Sequence, residues 1–285
     1  MNKKYLNRIK IMEYKDLKKD YLMNVFTYIP EGNIKTMKII FVMSGCLRDA
    51  LNYLKLWIDV ANQNKFIIIA PEFDKAHYSI ADHEYGNIIN IDYDYKSQDI
   101  YTPIMNYHKE IKDENEWIYS IIDDIYMCFI NENSIENNGY IMFGHSSGSQ
   151  FAHRFMMFGN SKYCKLFLCA NAGLYTFYDD TKEYPYGIRN LEKYHTRILE
   201  TLTKKVYILA GELDLDTKLL NNLPSDIQEG INRYERAKNY FISAKNTAEK
   251  HKINFNWNFV SMPNVPHNSK EVIPFAINII NENFK

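Results

Sequence analysis

The sequence contains little glycine, proline or cysteine and almost no net charge. Its 285 residues include 11 Gly, 8 Pro and 4 Cys, and the formal net charge is −1. This balance provides no electrostatic basis for binding nucleic acid or an anionic membrane. The four cysteines (Cys46, Cys128, Cys164 and Cys169) lack metal-ligand spacing. We therefore expect them to be reduced and the protein to be cytoplasmic.

Long apolar runs are also missing. No run approaches the length of a membrane span, and the charged N-terminal ten residues are not followed by the apolar segment of a secretory signal. Hydrophobic residues make up 46% of the chain and charged residues 24%, which is typical of a globular protein with a substantial core. The sequence leaves the oligomeric state open.

Apolar periodicity predicts alternating strands and helices in one α/β domain over residues 1–285, with a mainly parallel sheet and no linker. Residues 20–29 and 37–43 are predicted to form an antiparallel hairpin at the N-terminus. The other predicted strands are 65–70, 140–143, 165–170, 206–210 and 254–261. Four helices are predicted over residues 115–131, 191–204, 227–250 and 270–281, and two more are predicted to start near Leu51 and Ser149. Segment 72–110 shows no clean periodicity, and this segment and segment 174–190 are predicted to form loops or a cap.

One pentapeptide, Gly144-His145-Ser146-Ser147-Gly148, lies between a predicted strand and a predicted helix. This G-x-S-x-G pattern in a strand–turn–helix context is typical of a nucleophile elbow, in which a serine occupies a strained turn. The alternative is an ordinary turn whose serine caps the helix. The elbow interpretation predicts that Ser146 is a nucleophile.

A serine nucleophile needs a histidine base and an acid that orients it. Asp214 follows the predicted strand 206–210, with Glu212 and Asp216 as alternatives, and His267 follows the last predicted strand. Their order along the chain, serine, acid and then histidine, is the order found in folds with such an elbow. We therefore predict a Ser146–His267–Asp214 triad.

Transition-state stabilisation requires two backbone N–H donors. The N–H of Ser147 is predicted to be one, because it directly follows the nucleophile at a helix N-terminus. The second is predicted to be the N–H of Cys46, with Leu47 as the alternative, in the loop after strand 37–43.

Candidate substrate-pocket residues are Arg48, His145, Tyr175 and Tyr186. Arg48 adjoins the oxyanion loop and is either an anchor for a substrate carboxylate or a surface charge. The tyrosines belong to an aromatic segment that forms either a pocket wall or packing against the sheet. A metal site from His77, Asp82 and His83 is disfavoured, because no predicted element fixes their geometry, and no cofactor is expected.

Several runs between residues 38 and 275 resemble the α/β-hydrolase superfamily, and within it the poly(3-hydroxybutyrate)-depolymerase-like esterases. They include the pentapeptide and, in addition, residues 41–48, 69–74, 171–175, 184–187, 211–214 and 265–267. The resemblance implies an α/β-hydrolase fold with helices on both faces, and Ser146, Asp214 and His267 as the triad. The oxyanion loop reads Ser44-Gly45 where these relatives usually have His-Gly.

Together these features predict a cofactor-independent serine hydrolase that cleaves small or medium-sized carboxylic esters through an acyl-enzyme on Ser146. An amidase or peptidase with the same triad is the nearest alternative. A non-catalytic member that uses the pocket to bind a ligand is the alternative from a different class.

Overall fold

The computed structural model describes residues 3–94, 104–136, 138–217, 220 and 229–284. Within these residues eight strands form one sheet: β1 (Ile9–Asp16), β2 (Tyr21–Tyr28), β3 (Lys38–Met43), β4 (Phe66–Pro71), β7 (Tyr140–His145), β8 (Cys164–Ala170), β9 (Val206–Gly211) and β10 (Trp257–Met262). Their order across the sheet is β1-β2-β4-β3-β7-β8-β9-β10, and the two remaining strands, described below, form a separate sheet. From β4 to β10 all neighbours are parallel, whereas β1 and β2 run antiparallel to their neighbours. The predicted sheet is confirmed.

The N-terminal hairpin exists, but its predicted partner strand was wrong. β2 pairs with β1 and β4, and β3 instead lies between β4 and β7. β1 was not predicted, because it is an edge strand that lacks a clear apolar face: Lys10, Glu13 and Lys15 are exposed. β3 is buried from Ile39 onwards, which suits a central parallel strand.

Helices cover both faces of the sheet. They are α1 (Lys3–Leu6), α2 (Ala50–Asn64), α3 (Ile80–His83), α4 (Ser120–Glu132), α5 (Ser147–Phe158), α6 (His195–Glu200), α7 (Arg233–His251) and α8 (Ser269–Asn283). Trp57 of α2 and Ile277 of α8 belong to the core on one face. Tyr126 of α4, Phe155 of α5 and Tyr240 of α7 belong to the core on the other.

Two predicted helices differ in detail. The predicted helix 191–204 is interrupted: 3₁₀ turns at Arg189–Tyr194 and Thr201–Thr203 flank the short α6. The helix predicted from residue 227 begins at Arg233, after the N-cap Asn232. Residues 221–228 lie outside the described residues.

Segment 72–110, predicted to lack regular structure, contains α3 and a two-stranded antiparallel sheet of β5 (Ile89–Asp94) and β6 (Ile104–Ile111). Ile89 and Ile91 face the core while Asn90 and Asp92 are exposed, which is the alternation expected of a half-buried strand. Residues 95–103 lie outside the described residues. In the described part of the chain, no helix combines the length and apolarity that a membrane crossing requires.

Candidate active site

Ser146 occupies the sharp turn between β7 and α5. Its backbone angles, φ 57° and ψ −124°, are rare for a residue with a Cβ. Its N–H donates to the carbonyl of Ala170 (3.0 Å), and its own carbonyl accepts from the N–H of Ser149 (2.9 Å). The Ser146 hydroxyl makes no capping hydrogen bond to α5. The helix-capping interpretation therefore does not account for this serine.

The two glycines of the pentapeptide allow three elements to meet at this turn. A Cβ on Gly144 would lie 2.1 Å from the carbonyl oxygen of Gly148, and a Cβ on Gly148 would lie 2.2 Å from that of Met43. Both clashes involve backbone, which cannot rotate away. Glycine at both positions is thus required for α5 to start directly against the ends of β3 and β7.

A hydrogen-bonded chain joins the three residues of the predicted triad. Ser146 Oγ lies 3.0 Å from His267 Nε2, and His267 Nδ1 lies 2.7 Å from Asp214 Oδ2. Asp214 is buried, and its Oδ1 also accepts from Arg233 Nη1 at 3.3 Å. Such a chain can carry a proton from the serine to the imidazole while the carboxylate holds the ring's tautomer and orientation.

The two alternatives to Asp214 lie elsewhere. The Glu212 carboxylate accepts a hydrogen bond from Ser261 Oγ (2.6 Å). The Asp216 side chain is exposed, and it is the backbone carbonyl of Asp216 that accepts from Arg233 (3.1 Å). Of the three acids, Asp214 is the one in contact with His267.

Backbone pairing fixes the acid loop against the histidine loop. Beyond the paired ends of β9 and β10, the N–H of Leu213 donates to the carbonyl of Val265 (3.0 Å). A Cβ on Gly211 would lie 2.4 Å from that carbonyl, so the close approach of the loops requires glycine there. Because both loops leave adjacent parallel strands at the same edge, Asp214 and His267 meet although 53 residues separate them.

The two predicted oxyanion donors both border the cavity in front of Ser146. Ser147 is the first residue of α5, where an N–H has no intrahelical acceptor. Cys46 lies in a turn closed by a hydrogen bond from the Arg48 N–H to the Gly45 carbonyl (2.9 Å). A Cβ on Gly45 would lie 3.7 Å from Ser146 Cβ, so this turn is adjacent to the serine. Leu47, the alternative donor, borders the same cavity.

The cavity at Ser146 has a volume of about 400 Å³, within the usual range for small-molecule sites. Its walls combine apolar groups with polar and charged ones. Besides Ser146 and His267 they include Tyr53, Leu56, Ile80, Glu84, Tyr85, Met105, Gln150, Leu174, Leu220, Arg233 and Arg236. Among the described residues, segment 72–110 thus contributes four residues to the lining, whereas segment 174–190 contributes Leu174 alone.

His145 lies beside Ser146 and His267 and lines the cavity. Its Nδ1 is 3.2 Å from Tyr53 Oη, and its ring centroid is 4.8 Å from that of His267. Burial, and after it the neighbouring His267 and Arg233, hold the pKa of His145 well below its usual range. His145 is therefore neutral and does not add a second charge beside His267.

Three other predicted pocket residues do not line the cavity. Arg48 is buried, and its guanidinium donates to the carbonyls of Phe73, Tyr78 and Ser79 (3.0–3.4 Å). Tyr175 is fully buried and stacks on Tyr240 with ring centroids 4.6 Å apart. The Tyr186 ring packs edge-on against Tyr107 (5.8 Å). These side chains stabilise the surrounding loops. Both tyrosines therefore pack within the protein and do not form a wall of the cavity.

The side chains considered as metal ligands do not converge. His77 Nδ1 contacts Asp74 (2.9 Å), Asp82 pairs with Lys19 (2.9 Å), and His83 is buried against Phe73 and Phe151. Among the described residues there is no group of three such side chains with the geometry of a metal site.

Sequence reasoning missed Glu84, Tyr53 and Arg233. Glu84 follows the short helix α3, whose only sequence signal is the capping pattern Ser79-x-x-Asp82, formed as a capping box in the structure. Tyr53 lies on α2, and its position one turn from Asp49 gives no sign of a site. Arg233 starts α7, and nothing in the sequence links it to Asp214, 19 residues earlier.

No protein-family model matches the chain, and no curated protein matches it in sequence. Solved structures do match. Poly(aspartic acid) hydrolase-1 from Sphingomonas sp. KT-1 superposes with a TM-score of 0.84 at 23% identity, covering 95% of this chain and 98% of the other. The chain has the α/β-hydrolase fold.

Two further structures extend this likeness. The LpqC poly(3-hydroxybutyrate) depolymerase from Bordetella parapertussis has a TM-score of 0.83 at 21% identity, covering 99% of this chain and 93% of the other. The siderophore hydrolase EstA from Aspergillus nidulans has a TM-score of 0.58 at 11% identity, covering 98% and 95%. The α/β-hydrolase fold expected from the sequence motifs is confirmed, and the resemblance to a poly(3-hydroxybutyrate) depolymerase is confirmed as a likeness of fold.

Proposed function

We propose that the protein is a serine hydrolase that cleaves carboxylic esters of small or medium size through an acyl-enzyme on Ser146. The observation that carries this proposal is the hydrogen-bonded chain from Ser146 Oγ through His267 to Asp214, located at a cavity of about 400 Å³. The two hydrolases and the depolymerase among the structural neighbours support a hydrolase of this fold.

In the first half-reaction, His267 Nε2 accepts the hydroxyl proton as Ser146 Oγ attacks the ester carbonyl. The backbone N–H groups of Cys46 and Ser147 donate hydrogen bonds to the resulting oxyanion. His267 then transfers its proton to the leaving alcohol oxygen, the C–O bond breaks, and the acyl group stays on Ser146. Asp214 accepts from His267 Nδ1–H throughout and stabilises the transient imidazolium.

In the second half-reaction, water enters the position that the alcohol has left. His267 takes a proton from this water as its oxygen attacks the acyl carbon, and the same N–H groups hold the second oxyanion. The bond to Ser146 Oγ breaks, His267 returns the proton to Oγ, and the carboxylic acid leaves. The cycle consumes one water and requires no cofactor.

The first test is intact-mass spectrometry after treatment with a fluorophosphonate probe. We expect one adduct on the folded wild type and none on Ser146→Ala, because the probe captures activated serines. Ser243→Ala, which removes a hydroxyl on α7 outside the cavity, is the matched control and should label like the wild type. An unlabelled wild type with intact secondary structure would contradict the proposal.

Ester and amide cleavage are separated by comparing methyl butyrate with N-methylbutyramide. An amide needs His267 to protonate a poorer leaving group, so we expect the ester to react faster by orders of magnitude. Equal or faster amide cleavage would favour the amidase alternative. The cytoplasmic location expected from cysteine usage stays a prediction.

A further inference from the structure

Glu84 carries a buried carboxylate that lines the cavity beside Ser146. Only 8% of its surface is exposed. One oxygen, Oε1, accepts from Ser147 Oγ (2.8 Å), and the other, Oε2, accepts from Gln150 Nε2 (2.9 Å). Both donors belong to the first turn of α5, so the carboxylate is held next to the residue that follows Ser146.

The two partners of this carboxylate are neutral. No ion pair of Glu84 is found in the described part of the chain, and the neighbouring guanidinium of Arg154 contacts other atoms. Arg154 Nη1 donates to the backbone carbonyl of Glu84 (2.8 Å) and to Oε1 of Gln150 (3.1 Å). Arg154 thus reaches the carboxylate only through the Gln150 amide.

A buried carboxylate without an ionic partner is uncommon, because desolvation is costly unless a cation compensates. Each carboxylate oxygen can accept about two hydrogen bonds, and each oxygen of Glu84 uses one within the described residues. The remaining acceptor capacity is available to a group in the cavity that Glu84 lines. A cationic donor is the group that this site fits best.

The position of the charge also affects the proposed chemistry. Burial and, after it, the Glu84 carboxylate raise the pKa of the Cys46 thiol, so the field of Glu84 reaches the loop of one proposed oxyanion donor. The hydrogen bond from Ser147 Oγ places the Glu84 carboxylate beside the other proposed donor, the Ser147 N–H. A negative charge here opposes the negative charge that develops on the substrate oxygen. A cation bound to Glu84 would remove this opposition.

We propose that Glu84 binds a protonated amine of the substrate, so that the preferred esters carry an amino group a few bonds from the scissile carbonyl. This inference rests on the proposed function, because it names the substrate class of the same site. The ammonium would donate a charge-assisted hydrogen bond to Glu84 in a site shielded from water. It would also neutralise the carboxylate beside the oxyanion, which raises kcat and does not only lower KM.

The test compares pairs of esters that differ in the amine. For an amine in the acyl group, methyl 3-aminobutyrate is paired with methyl 3-hydroxybutyrate. For an amine in the alcohol, 3-(dimethylamino)propyl butyrate is paired with its carbon isostere 4-methylpentyl butyrate. With the wild type at pH 7 we expect kcat/KM to favour the amino ester of at least one pair by about tenfold or more.

The variant Glu84→Gln keeps a side chain of similar size that can still accept from Ser147, but it removes the charge. We expect the kcat/KM of the preferred amino ester, divided by that of its neutral partner, to fall by about tenfold or more, because only the amino ester makes the charge-assisted hydrogen bond. The matched control is Glu13→Gln on β1, an exposed carboxylate far along the chain from the site. It should keep the wild-type preference.

An independent measurement needs only the wild type. n-Butylammonium should slow fluorophosphonate labelling of Ser146 at a concentration about tenfold or more below that required of n-butanol. Equal protection by the two compounds, together with equal rates within both ester pairs, would overturn the proposal even if Glu84→Gln failed to fold. A preference that persists in folded Glu84→Gln would also overturn it.

The failure of this inference can be distinguished from the failure of the proposed function. If Ser146 labels and neutral esters are hydrolysed without preference for an amine, only the role of Glu84 is refuted. If Ser146 does not label and no ester of either kind is hydrolysed, the serine-hydrolase proposal fails, and the role of Glu84 fails with it.

Discussion

The imidazole rings of His145 and His267 lie 4.8 Å apart, and of the two it is His267 that hydrogen-bonds to the Ser146 hydroxyl. Because burial lowers the pKa of His145, we expect a single ionisation to govern the acid limb of the pH profile of kcat/KM. A plot of log kcat/KM against pH between 5 and 8 should therefore approach a slope of one at low pH. A slope of two would mean that His145 also gains a proton in that range.

Buried histidines should make folding stability sensitive to acid. Burial lowers the pKa of His83, His145 and His153 well below the usual value, so below pH about 6.5 the unfolded chain binds protons that the folded chain excludes. The stabilisation that comes from excluding these protons is therefore complete above that pH. As the pH falls below it, the free energy of unfolding decreases by about 1.4 kcal/mol per pH unit for each histidine.

Urea unfolding at pH 7.5 and pH 5.5 measures this loss. His153→Gln should reduce the difference in unfolding free energy between the two pH values, because one excluded proton is removed. His251→Gln, at an exposed position, should leave that difference unchanged. If the unfolding free energy changed between the two pH values by the same amount in the wild type and in His153→Gln, the buried His153 would not be neutral in the folded protein.

The acid of the triad can be identified by paired substitutions. Asp214→Asn keeps the size of a side chain that contacts His267 Nδ1 but removes its charge, and we expect kcat to fall by about 10³–10⁴-fold. Asp216→Asn changes an exposed side chain on the same loop and should cost less than about threefold. Steady-state ester hydrolysis measures both, and a larger loss in Asp216→Asn would assign the role to Asp216.

Gly148→Ala should disrupt the elbow. The added Cβ would lie 2.2 Å from the Met43 carbonyl oxygen, so we expect a loss of about 3 kcal/mol or more in unfolding free energy. At Gly173 the nearest atom of the described residues to an added Cβ is 3.6 Å away, and Gly173→Ala should cost about 0.5 kcal/mol or less. Denaturant unfolding compares the two, and a stable Gly148→Ala would show that the elbow can relax.

Arg48 should affect stability more than substrate choice. Its guanidinium donates to three carbonyls of residues 73–79, so Arg48→Met should lower the unfolding free energy by about 3 kcal/mol. The ratio of kcat/KM for methyl hemisuccinate to that for methyl pentanoate should change by less than about twofold. If Arg48→Met lost activity on methyl hemisuccinate and kept activity on methyl pentanoate, Arg48 would be an anchor for a substrate carboxylate.

Local rules were sufficient to predict the elbow and the order of its partners. Gly144, Ser146 and Gly148 are spaced by a turn that only glycine permits at its two ends, so the pattern carries its own geometry. Asp214 and His267 could be predicted because each follows a parallel strand, and the carboxyl ends of such strands share one edge. That Asp214 and not Asp216 contacts His267 emerged only in the structure.

The pairing of the N-terminal strands could not be predicted from local sequence patterns. The apolar runs at β2 and β3 are adjacent in sequence, and a hairpin is the usual outcome for such neighbours. The structure instead pairs β2 with β1 and β4, because β3 is buried on both faces between β4 and β7.

The sequence by itself determined the elbow at Ser146, the alternation that produces the parallel sheet, and the positions of the acid and the histidine along the chain. Only the tertiary structure decided which polar side chains reach the cavity. Arg48 and Tyr175 pack away from the cavity, while Glu84 lines the cavity from a segment that was predicted to form a loop. Their placement depends on contacts between residues far apart in sequence, such as Glu84 with Ser147 and Gln150, which no local spacing encodes.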